Sequence, residues 1–600
     1  MKQVINWKLL FILALVVVAY GNNISHGLVW DDRSFIVEWQ GRRDLAKNFG
    51  EFWQGQTAPR QEGVYRPIRS ILYSLGYVVF GENPSGYHGA AVAMQLVAVV
   101  LVYAIGKELA GEKVGLTGAG IFGLHPINVE AVAWISASFD SVGVVMALGS
   151  IYGYIKPGKK WRALSVVLAM LAYFTNEITL VLPVLLVMID WYRQTLKNWR
   201  QEAGRVGVIS LGAAVYLLIR MGVLGIVGRG GYVYGQLGVS ALVGVRAVAE
   251  FARSFLVPVG LGPIHVLAPQ ITSFFYHDFN INKPFAAPSL QEPVMAGAVA
   301  VLIAGCVLVW RAREKNKTVA LAWAWFVVAL LPVTQLVPLS ILFAERYIYL
   351  ASVGGAIGAA WVIVKVVLPK LVKKNETKGW LVTWGLLLVM TVATWQQNKI
   401  WASEETLWRR AMEVYSESSL VFTNLGKYYF ENGNREEGLV YLKRAVELND
   451  NGILPLTNLG VAYWQTGESD KAVAYLEEAL ALEPDYEVGR HSLVLIYMDG
   501  GKEARARELL GKMLETNPRD VWAMIQMAKS YHKEFIYNQA ENFYDRALQI
   551  EPDNLDALNN LGNLYVEWEK LEEAKAMFER VAKIDEDYGD VKEKLEELSS

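Results

Sequence analysis

The stretch GWLVTWGLLLVMTVATWQQNKIWASEETLWRRAMEV (379–414) decides how this chain folds, because its solvent preference changes near residue 400. Residues 379–395 form an apolar run of the kind that crosses a bilayer, whereas charged residues dominate from Glu404 onward. The 600 residues are too many for one ordinary domain. We therefore predict an all-α protein with a membrane-embedded domain at 1–396 and a water-soluble domain at 401–600.

Apolar segments recur throughout the first of these domains. A transmembrane helix needs roughly 20 mostly apolar residues, and about eleven segments approach that length, several of them short. They lie at 7–22, 88–106, 113–125, 139–155, 162–175, 178–192, 206–223, 292–310, 318–336, 347–364 and 379–395. An odd number of spans places the two termini on opposite faces of the membrane.

Basic residues test this arrangement, because lysine and arginine collect in cytoplasmic loops. Every segment that the eleven-span arrangement places inside carries them: Lys2 and Lys8; Lys107 and Lys113; Lys156, Lys159, Lys160 and Arg162; Arg193, Lys197, Arg200 and Arg205; Arg311, Arg313, Lys315 and Lys317; Lys365, Lys370, Lys373, Lys374 and Lys378. We therefore expect an integral membrane protein of a prokaryotic cell membrane, with a cytoplasmic N-terminus and an extracytoplasmic C-terminal domain.

Two further segments, 66–80 and 239–257, are apolar but contain arginine. We predict that both are amphipathic helices on the outer interface. Counting both as spans is the alternative, and it would move two of the basic clusters outside. The outer face then has three loops, at about 23–87, 125–140 and 224–291. A transporter does not need such loops on one face, whereas an enzyme working at the outer surface does.

The second domain repeats itself with a period of 34 residues. Small residues recur at Gly426, Gly460, Ala528 and Gly562, and again at Gly438, Ala472, Ala506, Ala540 and Ala574. This is the tetratricopeptide pattern of paired helices, which stack into an α-solenoid. We predict five repeats, at 419–452, 453–486, 487–520, 521–554 and 555–588, with a polar capping helix at 590–598 and an incomplete repeat at EETLWRRAMEV.

One polar position recurs in the first helix of every repeat. It is occupied by Asn424, Asn458, Ser492, Gln526 and Asn560. Amides on the concave face of such an array can hydrogen-bond the backbone of an extended peptide. The alternative is that asparagine at this position is partly structural. The sequence thus predicts a peptide-binding surface without excluding a purely structural ladder.

The acidic pair Asp31-Asp32 is the clearest candidate for chemistry in the first domain. It lies in LVWDDRSF, where apolar chain leaves the membrane. Partial desolvation there raises the pKa of a carboxylate and suits it to base catalysis. A solvated turn or helix cap is the alternative. Glu130 shares a helix face with Trp134, at i and i+4, in the mostly apolar stretch 122–140, which also contains His125. Helix-end capping by His125 and Pro126 with a surface glutamate is the alternative there.

Other candidates are single charges near the membrane surface. Arg346, at an outer helix start, could hold a phosphate, or it could anchor the interface beside Glu345. Zinc spacings, phosphate loops, nucleotide-binding glycine motifs and Ser-His-Asp arrangements do not stand out, and we expect no metal. The net charge of −2 gives no global field for nucleic acid, and the single cysteine, Cys306, cannot form an intramolecular disulfide.

The order of the motifs resembles one family. VWDDRSF, VYRPIRSILYSLGYVVFGENPSGYHGAAVAMQ, LHPINVEAVAWIS, AERYIYLASVG and WASEETLWRRA precede the repeats in sequence. This order is similar to that of the transmembrane and tetratricopeptide repeat-containing O-mannosyltransferases and their prokaryotic relatives, which are GT-C glycosyltransferases. The resemblance covers nearly the whole chain. It implies a GT-C-like membrane domain with an extracytoplasmic active site and a polyprenyl-phosphate-linked sugar donor, typically mannose.

The resemblance also implies site residues. Asp31 and Asp32 match the family's acidic pair, and the segment with His125 and Glu130 would help to shape the active site. Arg346, and with it Arg66, Arg69 and His125, would bind the donor phosphate.

The expected reaction is a single displacement with inversion onto serine or threonine of a protein held by the repeats, since one carboxylate suffices when a lipid phosphate leaves. Two alternatives remain: a non-catalytic membrane-anchored scaffold for envelope complexes, and an enzyme of the same fold acting on envelope glycan or lipid.

Overall fold

The computed structural model describes residues 6–39, 64–195, 199–225, 236–257, 316–334, 344–373, 375–414, 417–449 and 451–598, with isolated positions between 300 and 314. Every regular element in these ranges is a helix, which confirms the predicted all-α fold. The chain forms two compact units, one reaching Ser416 and the other starting at Glu417. The helix Glu404–Val414, which the sequence prediction placed in the second domain, lies in the first unit.

The first unit is a bundle of apolar helices. Their bounds are Trp7–Tyr20, Pro67–Phe80, Pro84–Ala110, Glu112–Leu124, Val129–Ala133, Ile135–Ile155, Lys159–Thr175, Leu182–Arg193, Trp199–Leu224, Leu237–Leu256, Lys317–Leu330, Tyr349–Val362, Leu368–Leu371, Glu376–Asn398 and Glu404–Val414. Short 3-10 or π turns extend several of them, at Gly21–Ser25, Ser34–Glu38, Pro126–Asn128, Glu177–Val181, Leu331–Val333, Glu345–Ile348, Ile363–Val367 and Lys399–Trp401.

Six described helical stretches are long and apolar enough to cross a membrane. They are Trp7–Ser25, Pro84–Ala110, Ile135–Ile155, Gly204–Leu224, Glu345–Leu371 and Glu376–Trp401. Other predicted spans form shorter helices. Most of 292–310 and most of the loop at 224–291 lie outside the described residues. The count of eleven spans therefore stays a prediction, as does the placement of 66–80 and 239–257, both of which form helices.

Glycine lets the central helices approach closely. The helix Glu112–Leu124 is buried from Val114 to Leu124. A Cβ atom at Gly115 would lie 2.6 Å from the backbone nitrogen of Lys107 in the preceding helix. Such a distance is shorter than any van der Waals contact, so the two helices pack backbone to backbone only because glycine has no side chain.

The two ends of this bundle differ in character. At one end, which we call the acidic end because Asp31 and Asp32 follow it in the chain, the first helix meets the last span, since Asn398 Nδ2 donates to Ala19 O at 2.7 Å. At the other, which we call the basic end, Lys156 Nζ lies 2.5 Å from Glu108 Oε1 and Lys113 pairs with Glu376. Thr394 Oγ1 donates to Leu124 O at 2.7 Å at the acidic end, so the helix Glu112–Leu124 and the last span run between the two ends.

The second unit consists of ten helices that pair as the repeats predict, followed by a short cap. The bounds are Ser419–Glu431, Arg435–Leu448, Ile453–Gln465, Ser469–Leu482, Glu487–Asp499, Glu503–Thr516, Val521–Lys533, Tyr537–Ile550, Leu555–Glu567, Leu571–Ile584 and the cap Val591–Glu597. The small residues Ala472, Ala506, Ala540 and Ala574 are fully buried where paired helices meet. The predicted tetratricopeptide array is therefore confirmed.

The turn inside each repeat has one left-handed residue. Its φ is +90° at Gly433, +85° at Gly467 and +67° at Gly501, and it stays positive at Phe535 (+60°) and Glu569 (+58°). These five positions follow one another at the repeat period. Glycine adopts this conformation without strain, whereas Phe535 and Glu569 adopt it at a cost in conformational energy.

Candidate active site

The acidic pair lies in a tight turn at the acidic end. Asp32 N donates to Val29 O at 3.1 Å, which closes the turn, and Trp30 inside it has a φ of +54°. A tryptophan in the left-handed region is strained, and such strain persists only where the surrounding structure imposes it. The strained residue immediately precedes Asp31, so the turn sets the directions of both carboxylates.

Asp32 points into the protein. Its Oδ1 accepts hydrogen bonds from Ser136 N at 2.8 Å and from Ser136 Oγ at 2.6 Å, and its Oδ2 accepts from Val29 N at 3.2 Å. The side chain is fully buried, and this burial raises the pKa of Asp32 to about 7 although the hydrogen bonds favour the charged form. Asp32 thus ties the loop to the start of the helix Ile135–Ile155.

Asp31 points in a different direction and is only half-buried. Burial raises the pKa of Asp31, while the nearby charges of Arg346 and Arg69 act in the opposite direction. Asp31 therefore lies within electrostatic reach of two arginines and keeps contact with solvent. Of the two carboxylates it is the one that an incoming hydroxyl group can reach.

Glu130 and Arg346 form a buried ion pair beside Asp31. The Arg346 guanidinium pairs with Glu130 Oε1, and Arg346 N donates to Glu130 Oε2 at 3.3 Å. The Arg346 side chain is 14% exposed and that of Glu130 7%, so both are largely removed from water. The guanidinium also lies 5.0 Å from the ring centroid of Trp134. The pair therefore fixes a cation beside the accessible carboxylate.

Tryptophans pack around this pair. Trp30 stacks on Trp134 with ring centroids 5.0 Å apart and planes 7° from parallel, and Trp134 stacks on Trp401 at 5.6 Å. Trp408 meets the edge of Trp30 at 5.4 Å. In the sequence, Trp30 directly precedes Asp31 and Trp134 follows Glu130 by four residues, whereas Trp401 and Trp408 lie far from both acidic residues. The aromatic motif WASEETLW was visible in the sequence, but its partners were not.

A second charge network contains Arg66 and Arg69. Arg66 bridges Asp140 Oδ2 at 2.5 Å and Glu177 Oε2 at 2.7 Å, and Arg69 reaches Asp140 Oδ1 at 3.2 Å. Arg220 lies 3.9 Å from Glu177. Three arginines and two carboxylates thus belong to one network. Arg69 also lies near Asp31, and so this cluster adjoins the acidic pair and can help to hold an anion there.

His125 has a structural position. Its Nδ1 accepts a hydrogen bond from Ile127 N at 3.2 Å, its Nε2 lies 3.0 Å from Phe255 O, and its ring stacks on Phe255. An imidazole with Nδ1 accepting is neutral with its proton on Nε2, which donates to the carbonyl. Both nitrogens are therefore engaged by the backbone, and the phosphate-binding role that the resemblance suggested for His125 stays a prediction.

The amides of the repeat unit lie where the period predicts, and their side chains are half-buried except for Gln526, which is 7% exposed. The Nδ2 atoms of Asn424, Asn458 and Asn560 donate to the carbonyl four residues earlier, at 2.8, 2.8 and 2.6 Å. One donor of each amide is thus used within its own helix, while the amide also has a second donor and a carbonyl oxygen. The ladder keeps hydrogen-bonding capacity, and its role as a peptide surface stays a prediction.

Comparison with known proteins agrees with this division. Two tetratricopeptide repeat family models match residues 415–483 and 535–598. The human protein O-mannosyl-transferase TMTC3 is 23% identical over 72% of this chain and 50% of its own length. The human protein O-mannosyl-transferase TMTC4 is 23% identical over 72% of this chain and 65% of its own. The Drosophila melanogaster protein O-mannosyl-transferase Tmtc1 is 30% identical over 27% of this chain and 20% of its own.

Solved structures of tetratricopeptide repeat proteins are similar to part of this chain. YrrB, described as a TPR protein with an unusual peptide-binding site, is 20% identical over 30% of this chain and 93% of its own, with a TM-score of 0.25. A thermophilic TPR protein from Thermus thermophilus, TTC0263, is 20% identical over 30% of this chain and 99% of its own, with a TM-score of 0.26. The chain spans about half the length of the TMTC3 relative, or 50%. Over 72% of its length the chain is thus similar to protein O-mannosyl-transferases, and its C-terminal unit carries tetratricopeptide repeats.

Proposed function

We propose that the chain is a membrane glycosyltransferase that transfers a sugar, with mannose the first candidate, from a polyprenyl-phosphate donor to serine or threonine of a protein. The observation that carries this proposal is the juxtaposition of a half-buried carboxylate, Asp31, with the arginines Arg346 and Arg69. A base beside cations is what transfer from a sugar phosphate requires. The similarity to O-mannosyl-transferases supports the same class of reaction.

In this proposal Asp31 is the general base. It takes the proton from the acceptor hydroxyl while the hydroxyl oxygen forms a bond to the anomeric carbon. The bond between that carbon and the phosphate oxygen breaks, and the polyprenyl phosphate leaves with the electron pair. One displacement inverts the configuration, in contrast to the two carboxyl groups that glycoside hydrolysis generally uses.

The remaining charged residues position these groups. Asp32 holds the loop through its three hydrogen bonds and so directs Asp31 toward the acceptor. Glu130 holds Arg346, and Arg346 and Arg69 stabilise the negative charge that develops on the leaving phosphate. Arg66 is bridged to Asp140 and Glu177 and keeps this cationic cluster together. No metal takes part in the proposed step.

The repeat unit is proposed to bind the acceptor polypeptide through the face that carries Asn424, Asn458, Ser492, Gln526 and Asn560. The acidic end is proposed to face the extracytoplasmic side, because the basic clusters lie at the other end and lysine and arginine mark cytoplasmic loops. The donor and the acceptor would then meet at the outer surface of the membrane.

The test is transfer of radiolabelled mannose from polyprenyl-phosphate-mannose into protein in isolated membranes. Wild type is compared with Asp31→Asn and with Glu38→Gln, which removes an exposed carboxylate from the same loop. Label in protein with wild type and Glu38→Gln, but not with Asp31→Asn, supports the proposal. Full transfer by Asp31→Asn refutes the assignment of the base. Absence of transfer by wild type from mannose and other sugar donors refutes the enzyme and favours the scaffold hypothesis.

A further inference from the structure

A cavity of about 240 Å³ opens at the basic end of the first unit, away from the acidic pair. It lies between the start of the helix Glu112–Leu124 and the turn that joins the last two spans. Its lining includes Lys113, Val364, Leu368, Glu376, Trp380 and Thr383. The helix that starts here is 13 residues long, so about 20 Å separates the cavity from the site around Glu130. The cavity is therefore distinct from the proposed active site.

The charge around the cavity is positive. Lys113 lines it and pairs with Glu376. Lys8 Nζ lies 4.3 Å from the ring centroid of Trp380, another lining residue. The helical segments that form the remaining walls carry exposed lysines at Lys365, Lys370 and Lys378, and Lys373 is exposed in the turn between them. Lys113 and Lys8 thus lie at the cavity, and four further lysines lie on the adjoining segments, which favours an anionic ligand.

One wall of the cavity is apolar. Val364, Leu368, Pro369 and Val372 supply one side, and exposed valines and leucines such as Val367 and Leu371 continue the same segment outward. A free phosphate ion would gain nothing from these side chains. A molecule with an anionic head and a hydrocarbon chain would match both parts of the cavity.

Aromatic residues place this end at the depth of the lipid headgroups. Trp380 stacks on Trp384 at 5.2 Å, and Trp384 also contacts Trp7 and Phe11. Tryptophan is enriched at the membrane–water interface, and lysines beside it reach toward the headgroups. Basic pockets between membrane helices on the cytoplasmic side are suited to anionic headgroups.

We propose that this cavity binds an anionic phospholipid of the surrounding bilayer. The phosphodiester of the lipid lies beside Lys113 and Lys8, and one acyl chain follows Val364, Leu368 and Val372. The lipid links the segment Glu345–Leu371 to the last span at their junction. This site is separate from the donor site and does not depend on the proposed transferase activity.

The test uses the full chain purified in detergent and native mass spectrometry to count bound lipid. Phosphatidylglycerol is titrated against phosphatidylcholine with the same acyl chains. Wild type is expected to prefer phosphatidylglycerol. Lys113→Gln is expected to weaken its binding roughly fivefold, as the loss of one lysine near an anionic headgroup implies. Lys159→Gln removes an exposed lysine outside the lining and is the matched control, with binding unchanged.

A second variant tests the cavity without changing charge. A Cβ atom at Gly379 would lie 3.8 Å from its nearest neighbours, Leu368 and Val372, so Gly379→Leu fits the helix and fills the cavity. This variant is expected to lose bound phosphatidylglycerol. Equal binding of the two lipids by wild type, equal weakening by Lys113→Gln and Lys159→Gln, unchanged binding by Gly379→Leu, or displacement of the lipid by inorganic phosphate would each overturn the proposal.

Discussion

Replacing Asp32 with asparagine should change how stability depends on pH. The carboxyl group of Asp32 is fully buried, and burial raises its pKa to about 7. In the unfolded chain an aspartate titrates near pH 3.9. The folded protein therefore binds this proton more tightly than the unfolded chain does. The resulting stability is complete below about pH 4 and is lost as the pH rises through about 7.

The magnitude follows from these two pKa values. Between about pH 5 and pH 8, the wild type should lose about 2.5 kcal/mol of unfolding free energy relative to Asp32→Asn. In the variant, the amide nitrogen replaces Oδ2 opposite Val29 N, so one buried N–H loses its acceptor. This costs about 1–3 kcal/mol, but the cost does not vary with pH and so shifts the whole curve of the variant without changing its slope.

Denaturant titrations in detergent micelles at several pH values would measure this difference. Glu38→Gln, which alters an exposed carboxylate of the same loop, should follow the wild-type curve. Asp31→Asn should keep the pH dependence that Asp32 causes while losing transfer. Parallel pH curves for wild type and Asp32→Asn would refute the reasoning, because they would show that Asp32 titrates alike in the folded and unfolded chain.

Three further outcomes are expected. The rate of sugar transfer should rise with pH, because burial raises the pKa of Asp31 and a general base must be unprotonated. Asp31→Asn should lower the initial rate of transfer by about 10²–10⁴, and an unchanged initial rate would contradict this. Glu130→Gln should cost about 3–5 kcal/mol of unfolding free energy, because it removes the ion-pair partner of the buried Arg346. A loss below about 1 kcal/mol in denaturant titration would show that solvent reaches the pair. Glu569→Gly should stabilise the repeat unit by about 1 kcal/mol and Gly467→Ala should destabilise it by a similar amount, since both positions have positive φ. Melting temperatures that shift in the same direction for both variants would argue against a left-handed turn.

The repeat unit could be predicted almost completely from the sequence. The first predicted repeat begins at residue 419, and its first helix is Ser419–Glu431. Helices and turns of a tetratricopeptide repeat depend on residues close together in the chain and on neighbouring repeats, so a local period carries the information. The strained left-handed residues at Phe535 and Glu569 were not predicted, because neither residue type signals that conformation.

In the membrane unit, the sequence by itself determined that apolar helices alternate with basic loops and that an acidic pair follows the first of them. It could not assign separate roles to Asp31 and Asp32, which are neighbours of the same type. Tertiary structure decided this, since Ser136, 104 residues away from Asp32, binds one carboxylate and leaves the other facing arginines.

The same reason explains the remaining differences. The resemblance suggested Arg346, and with it Arg66, Arg69 and His125, as residues that bind the donor phosphate, but the sequence could not show what surrounds each of them. Contacts between distant parts of the chain distinguish them. His125 Nε2 contacts the carbonyl oxygen of Phe255. Glu130, 216 residues before Arg346, pairs with that guanidinium near the accessible carboxylate of Asp31. Local periodicity and solvent preference specify helices, but the direction and charge of a buried side chain depend on partners that only packing brings together.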